Sequence, residues 1–179
     1  MVVAYIGLGS NLELPQQQIE SALGELHDLP KSRCLAQSSR YRSAPMVSTG
    51  MVSTGMVSKK GGPQDQPDYI NAVVALETEL EPQVLLQALQ TLENAHGRVR
   101  TEHWGPRTLD LDLLLYGDQV MDSDQLTIPH PGLYERNFVL YPLAELSANY
   151  GLEVPIPGKH SLRDLLMNCE PDGLEKLGH

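Results

Sequence analysis

The run Thr108-Leu-Asp-Leu-Asp-Leu-Leu-Leu-Tyr116 constrains this chain more than any other segment. On a strand, side chains alternate between two faces. Leu109, Leu111, Leu113 and Leu115 then fall on one side and Asp110 and Asp112 on the other, their Cα atoms about 6.6 Å apart. A strand of this kind needs a core on its leucine side and an open face on the other. Two carboxylates held side by side repel each other, and a hard divalent cation such as Mg²⁺, which takes oxygen ligands and shares them with phosphate, resolves the repulsion. A solvated alternating strand is the plainer reading of a bare Asp-x-Asp, so the surroundings must decide.

The remaining pattern supplies partners for that strand. Val2 to Leu8 is an apolar run ended by Gly7-Leu-Gly-Ser-Asn11 and reads as a buried strand leaving through a turn. Pro15 to His27 carries Ile19, Ala22, Leu23 and Leu26 at helical spacing. Cys34 to Arg42 reads as a polar strand, and Tyr69 to Leu76 as another that turns Ile70, Ala72, Val74 and Leu76 to one face. A second helix starts at Pro82, carries Leu85, Leu89 and Leu92, and stops at Gly97. A short strand-turn segment over Gln119 to Ile128 follows the acidic strand. Arg136 to Ser147 forms a third helix that Pro142 is expected to kink or divide, and Ser161 to Met167 a last short one.

The order β-α-β, β-α-β predicts an α+β fold of the ferredoxin-like, split βαβ type: an antiparallel sheet with helices on one face and the active site on the other. With 179 residues, 41% hydrophobic and 20% charged, the chain is globular in composition and long enough to bury roughly 70% of its unfolded surface. A single catalytic domain over residues 1–179 is expected. Residues 46–60 interrupt the pattern with three near-copies of Met-Val-Ser-Thr-Gly, far too short for a repeat fold, and read as an insertion in a surface loop. Adding about 15 residues to a loop of about 10 costs only ~0.8 kcal/mol of closure entropy.

Charge and cysteine content narrow the partners. Thirteen Lys and Arg against 23 Asp and Glu give a net charge of −10, which argues against a nucleic-acid or anionic-membrane binder. Cys34 and Cys169 have no CxxC or His cluster near them and read as reduced thiols. No apolar run approaches the about 18 residues of a membrane span, and the N-terminus lacks a basic leader, so a cytoplasmic protein is expected.

Against that acidic background, Arg98, Arg100 and Arg107 cluster just ahead of Asp110. Arginines that clamp phosphate oxygens beside a metal site are the equipment of phosphoryl transfer, where positioning and charge neutralisation supply most of the catalysis. No Walker A motif is present, so a nucleotide must be held without a P-loop. By the same parity, Tyr69 and Asn71 face the side of Asp110 and Asp112, where an aromatic plate and an amide suit a flat, hydrogen-bonding heterocycle. Gln90 and Glu93 are i, i+3 neighbours off the leucine stripe of the second helix.

Gly105-Pro-Arg-Thr-Leu-Asp-Leu-Asp112, together with Gly9-Ser-Asn11, Asp65-Gln-Pro-Asp-Tyr-Ile-Asn71, Gly97-Arg-Val-Arg100, Ile128-Pro-His130 and Arg136-Asn-Phe138, resembles the 6-hydroxymethyl-7,8-dihydropterin pyrophosphokinases of folate biosynthesis over nearly the whole chain. The resemblance implies transfer of the β,γ-diphosphate of ATP to the pterin hydroxymethyl group, with two Mg²⁺ and AMP as product, by a monomer. It implies that Asp110 and Asp112 bind the magnesium ions and that Arg98 and Arg107 stabilise the migrating diphosphate. Gln90, Glu93, Arg100, His103, Trp104, Leu113, Thr127, His130 and Arg136 would line the ATP site, His103 standing where an arginine is frequent. Ser43, Ala44, Met46, Tyr69, Asn71, Trp104 and Phe138 would surround the pterin. On the residues alone, a non-catalytic small-molecule-binding domain and a metal phosphohydrolase remain alternatives.

Overall fold

The computed structural model describes residues 1–11, 14–44, 67–96, 109–158 and 160–178. The repeat at 46–60 lies outside them. An antiparallel sheet forms the centre, in the order β5 (Asp110–Tyr116), β1 (Val2–Ser10), β4 (Tyr69–Thr78), β3 (Arg40–Ser43), β8 (Leu174–Gly178), with β2 (Ser32–Gln37) also on β4. β6 (Met121–Asp122) and β7 (Thr127–Ile128) form a small hairpin beyond β5.

The segment expected as one strand from Cys34 to Arg42 is two pieces, β2 and β3, lying end to end along β4 and broken at Ser38-Ser39. Ser38 keeps the ladder satisfied across the break. Its N–H donates to the Val73 carbonyl, and its Oγ accepts from the Val73 N–H, both at 2.9 Å.

Helices α1 (Pro15–His27) and α2 (Pro82–Ala95) cover one face of the sheet, as their spacing predicts. Ile19, Ala22, Leu23, Leu26, Leu85 and Leu89 bury against Ile6, Leu8, Ile70, Ala72, Val74, Leu76, Leu109, Leu111 and Leu113. His96, which ends α2, ties the two helices: its Nδ1 meets Gln18 Oε1 at 2.5 Å and its Nε2 meets Glu25 Oε2 at 3.0 Å.

The second face differs from expectation. It is not left open along its length, because α3 (Asn137–Tyr150) lies across half of it and buries Val139, Leu140, Leu143 and Leu146 against Tyr5, Val73, Ala75 and Leu115. Leu115 accordingly leaves the leucine face predicted for it. Tyr5 pairs with Leu115 but Ile6 with Leu113, so Leu114 is an extra residue that switches the parity of β5, the ordinary effect of a β-bulge. The helix also runs through Pro142 without dividing. A mid-helix proline costs about 3 kcal/mol, whereas burying each of four branched apolar side chains returns about 1.5–3 kcal/mol. Packing decides the outcome.

A short 3₁₀ turn (Pro131–Tyr134) precedes α3, and α4 (Leu162–Met167) follows it behind a Ser161–Asp164 capping box. Strand β8 has no counterpart in the sequence pattern, since Leu-Glu-Lys-Leu-Gly alternates too weakly; tertiary pairing with β3 makes it a strand.

Glu145 pins this half of the molecule. Its buried carboxylate accepts from the Ser39 N–H, from the Tyr41 hydroxyl at 2.9 Å and from Lys176 Nζ at 2.9 Å. Burial pushes its pKa up, but these hydrogen bonds outweigh burial and hold it below the usual carboxylate value. A depressed folded-state pKa contributes stability that is present above the unfolded value and is lost as pH falls through the folded one. The protein should therefore lose stability below about pH 4.5, the ordinary range of a glutamate. Urea melts of wild type and Glu145→Gln between pH 3 and 7 should show the variant less stable at neutrality and flatter on the acid side.

Candidate functional site

The half of the second face that α3 leaves uncovered is where the predicted acidic pair stands. Strand β1 pairs Gly9 with Asp110 on one side and with Asn71 on the other, and β3 pairs Tyr41 with Asn71. Directly opposed residues share a face, so Tyr41, Asn71, Gly9 and Asp110 form a row across four strands. Gly7 and Asp112 stand opposite each other in the next row. Both aspartates are half-buried, and the flanking leucines 109, 111 and 113 point to the helices, as the alternation requires.

Gly9 keeps the row open. A Cβ there would press on Asn71 Oδ1 at 3.2 Å and approach Tyr69 Cδ1 at 3.8 Å. Asn71 is buried and donates from Nδ2 to Ser43 Oγ at 2.8 Å, so its carboxamide has a defined orientation across β3 and β4. Ser43 is buried, Ala44 exposed and Tyr69 half-buried at the same end of the sheet.

On the outer side of β5 the predicted nucleotide residues meet. A cleft of about 250 Å³ is lined by Leu86, Asp112, Leu113, Thr127 and His130, together with Ser123 to Leu126 of the hairpin turn. Glu93, almost fully buried, reaches from α2 and accepts the N–H of Leu111, the residue between the two aspartates, at 3.2 Å. His130 donates its own N–H to the Leu114 carbonyl at 2.9 Å. These bonds satisfy part of the edge of β5 and seat α2 and the post-hairpin turn against it. Gln90 is half-buried one turn before Glu93.

His130 has a fixed tautomer. Its Nδ1 accepts the Gly132 N–H at 3.0 Å, which leaves the proton on Nε2, 3.8 Å from Asp112 Oδ1. Burial lowers its pKa below the ordinary histidine value, Asp112 and Asp110 partly oppose that, and Arg136 adds to it. His130 is therefore neutral at pH 7 in the metal-free protein. Arg136 lies with its guanidinium 5.8 Å from the centre of the Phe138 ring, a cation–π arrangement. It passes so close to Gly132 that a Cβ there would lie 2.4 Å from Cζ.

The structure thus assembles Asp110, Asp112, Glu93, Leu113, Thr127 and His130 around β5 and its cleft, and Ser43, Tyr69 and Asn71 along the next strands. Arg136 and Phe138 sit together at the start of α3, and Gln90 is placed on α2. Met46, Arg98, Arg100, His103, Trp104 and Arg107 fall outside the described residues. Sequence reading missed Gly132, Leu86 and the hairpin residues Ser123 and Asp124. Leu86 lies on α2, where helical spacing gives it to the core and not to a site, while Gly132, Ser123 and Asp124 belong to no periodic pattern and reach Asp112 only through the turns that follow β5.

Fold and site define an α+β domain with an acidic pair at one sheet edge, between a cleft and an aromatic-amide wall. Comparison with known proteins agrees. The family 7,8-dihydro-6-hydroxymethylpterin-pyrophosphokinase (HPPK) matches residues 5–148. Similar proteins include 2-amino-4-hydroxy-6-hydroxymethyldihydropteridine pyrophosphokinases of Haemophilus influenzae, 46% identical over 99% of both chains, and of Pseudomonas aeruginosa, 45% identical over 97% of this chain and 95% of that one. The folic acid synthesis protein fol1 of Schizosaccharomyces pombe is 41% identical over 81% of this chain and 18% of its own length. Among solved structures, an HPPK-DHPS in complex with substrates superposes with a TM-score of 0.65 at 11% identity, over 93% of this chain and 43% of that one. The wild-type Plasmodium falciparum HPPK-DHPS superposes with a TM-score of 0.62 at 13% identity, over 98% of this chain and 47% of that one. Those longer chains share the fold, and this chain spans less than half of each. The chain belongs to the HPPK family.

Two outcomes follow from the geometry. In the metal-free protein the His130 resonance should titrate below the ordinary histidine midpoint, and Asp112→Asn, which removes an opposing charge, should move it lower still in an NMR titration. Gly132→Ala should keep the fold, since no left-handed backbone is required there and the atoms a Cβ would meet belong to the Arg136 side chain, which can shift; the stiffer unfolded chain and the lost cation–π contact should offset each other to within about 1 kcal/mol. It should nonetheless displace the Arg136 guanidinium from Phe138, detectable as a shift of the Arg136 Nε–H signal.

Proposed function

We propose that this chain transfers the β,γ-diphosphate of ATP to the hydroxymethyl oxygen of 6-hydroxymethyl-7,8-dihydropterin, giving AMP and the pterin diphosphate, a step of folate biosynthesis. Membership of the HPPK family supports the reaction. The row that sets Asp110 next to Gly9 and Asn71, while Asp112 lines the cleft, carries the assignment of its parts. With the nucleotide in the cleft and the heterocycle on the aromatic-amide wall, the two carboxylates would stand between them, where a diphosphate must cross.

In this reading the nucleotide occupies the cleft of Leu113, Thr127 and His130, bordered by Gln90, Glu93 and Arg136. The ring of the pterin lies by Tyr69 and Phe138, its polar edge read by Asn71 and by the main chain at Ser43 and Ala44. Arg98, Arg100, His103, Trp104, Arg107 and Met46 take the roles that the family resemblance gives them.

The donor set fits Mg²⁺. Asp110 and Asp112 offer hard oxygens on one face, and the positions opposite them, Gly9 and Gly7, carry no side chain to crowd that face. Two ions held by Asp110 and Asp112 would supply neutralisation of the triphosphate charge. The protein's own residues do the rest: the cleft walls would seat the nucleotide, Glu93 holds the carboxylate-bearing strand against α2, and neutral His130 presents an Nε2–H toward Asp112. Orientation of both substrates against one another is the larger part of such catalysis.

We read the antiparallel sheet as of the ferredoxin-like, split βαβ type, and residues 46–60 as an insertion in a surface loop. We read the chain as a single catalytic domain, monomeric and cytoplasmic; no described helix is long and apolar enough to cross a membrane.

Purified protein with ATP, Mg²⁺ and hydroxymethyl-dihydropterin should yield AMP, resolved by ion-exchange chromatography; ADP alone would point to an ordinary kinase. Asp110→Asn should lower kcat by roughly 100- to 1,000-fold, the size of losing one electrostatic stabiliser at a transition state, with the melting temperature retained. Removal of divalent metal by chelation should stop turnover reversibly.

A further inference from the structure

The wall that carries Asn71 and Ser43 is braced along its α3 side by groups that neither the motifs nor the family assignment explains. Strand β3 is four residues long; three pairs hold it to β4, from Tyr41 opposite Asn71 to Ser43 opposite Tyr69, and on its other edge it pairs with the short β8, which sets Lys176 opposite Tyr41. The break at Ser38-Ser39 separates it from β2, so the longer ladder does not hold it in place. Glu145 reaches across from α3 into that break. It grips the Ser39 N–H on one side and the Tyr41 hydroxyl on the other, and Lys176 of β8 closes the cluster at 2.9 Å. Lys176 lies beyond the residues that match the family.

We infer that Lys176, Glu145 and Tyr41 form a positioning relay for the pterin side of the site. The relay holds β3 so that Ser43 Oγ receives the Asn71 Nδ2–H at 2.8 Å, which turns Asn71 Oδ1 toward Gly9. A carboxamide presents a donor and an acceptor on nearly identical shapes, so only a fixed neighbour decides which one the ligand meets. If β3 shifts, the Ser43 contact is lost and Asn71 rotates, and discrimination at the heterocycle edge goes with it. The nucleotide cleft lies on the far side of β5 and is built from residues that none of these groups touches. The inference rests on the assignment of Asn71 and Ser43 to the pterin proposed above.

Steady-state kinetics in both substrates separates the possibilities. Tyr41→Phe keeps the ring and removes only the hydroxyl, Lys176→Met removes the half-exposed ammonium, and Glu145→Gln removes the charge. Tyr41→Phe and Glu145→Gln should each raise the pterin KM by about 5- to 10-fold, the equivalent of one hydrogen bond. Lys176→Met should do so by a smaller factor. The ATP KM and kcat should stay within about twofold of wild type, the pattern of lost ground-state binding of one substrate. Combining Tyr41→Phe with Glu145→Gln should add little to either alone. Asn71→Ala serves as the reference. If it raises the pterin KM while Tyr41→Phe and Lys176→Met change nothing, the relay is overturned and the pterin assignment stands. If Asn71→Ala leaves the pterin KM unchanged, the substrate assignment falls and the relay with it. Equal rises in both KM values, tracking a lower melting temperature, would reduce Glu145 to a purely structural role and also overturn the inference.

Discussion

The antiparallel ladder that pairs Val2 with Thr78 at one end of β1 and Ser10 with Ile70 at the other sets the terms for everything else in the molecule. Because side chains alternate along a strand, one register decides at once which residues reach α1 and α2 and which reach the opposite face. A slip by one position would bury Asp110 and Asp112 among leucines and expose Ile6 and Leu8. Hydrophobic burial on the helix side therefore enforces the placement of the acidic pair, although the aspartates themselves contribute nothing to that burial. Function here depends on a register that the core stabilises.

A second constraint is the division of the other face. Four apolar residues of α3 cover Tyr5, Val73, Ala75 and Leu115, and the cover ends before the row of Asn71, Gly9 and Asp110. The bulge at Leu114 makes that division possible, because it returns Leu115 to the α3 side while Leu111 and Leu113 stay with α2. Gly7 adds to the fit, since a Cβ at that position would lie 3.4 Å from the Leu114 side chain. A rigid packed half and an open polar half thus share a single sheet surface, and the site is preorganised by its attachment to the packed half. The buried carboxylates do related work at either end: Glu93 anchors the strand that bears the aspartates, and Glu145 anchors the strand that faces Asn71.

Much of this was legible in the chain. The spacing of Ile19, Ala22, Leu23 and Leu26 and of Leu85 and Leu89 marks two helices because one burying stripe at a period of 3.6 leaves a plain trace. Alternation in 69–76 and 109–113 reveals both the strands and the shared face of Tyr69, Asn71, Asp110 and Asp112. What escaped reading has physical causes. Pro142 signals a break by its local preference, and tertiary burial overrides it. Leu115 obeys the parity only up to a bulge, which depends on the neighbouring strand and not on local sequence. Strand β8, half charged and at a sheet edge, has no periodic signature and exists because β3 offers it hydrogen bonds.

Taken alone, the sequence determined the strongly periodic elements, the face on which each aspartate stands, and the chemistry that acidic pair, arginines and amide can perform together, because local periodicity and residue type are properties of short segments. Only the tertiary structure decided that α3 would share the second face with the site, that Glu93 would hold the N–H between the two aspartates, and that Glu145 would join three elements beside Asn71. Each of those is a contact between residues far apart in the chain, and such contacts are set by how packed layers meet.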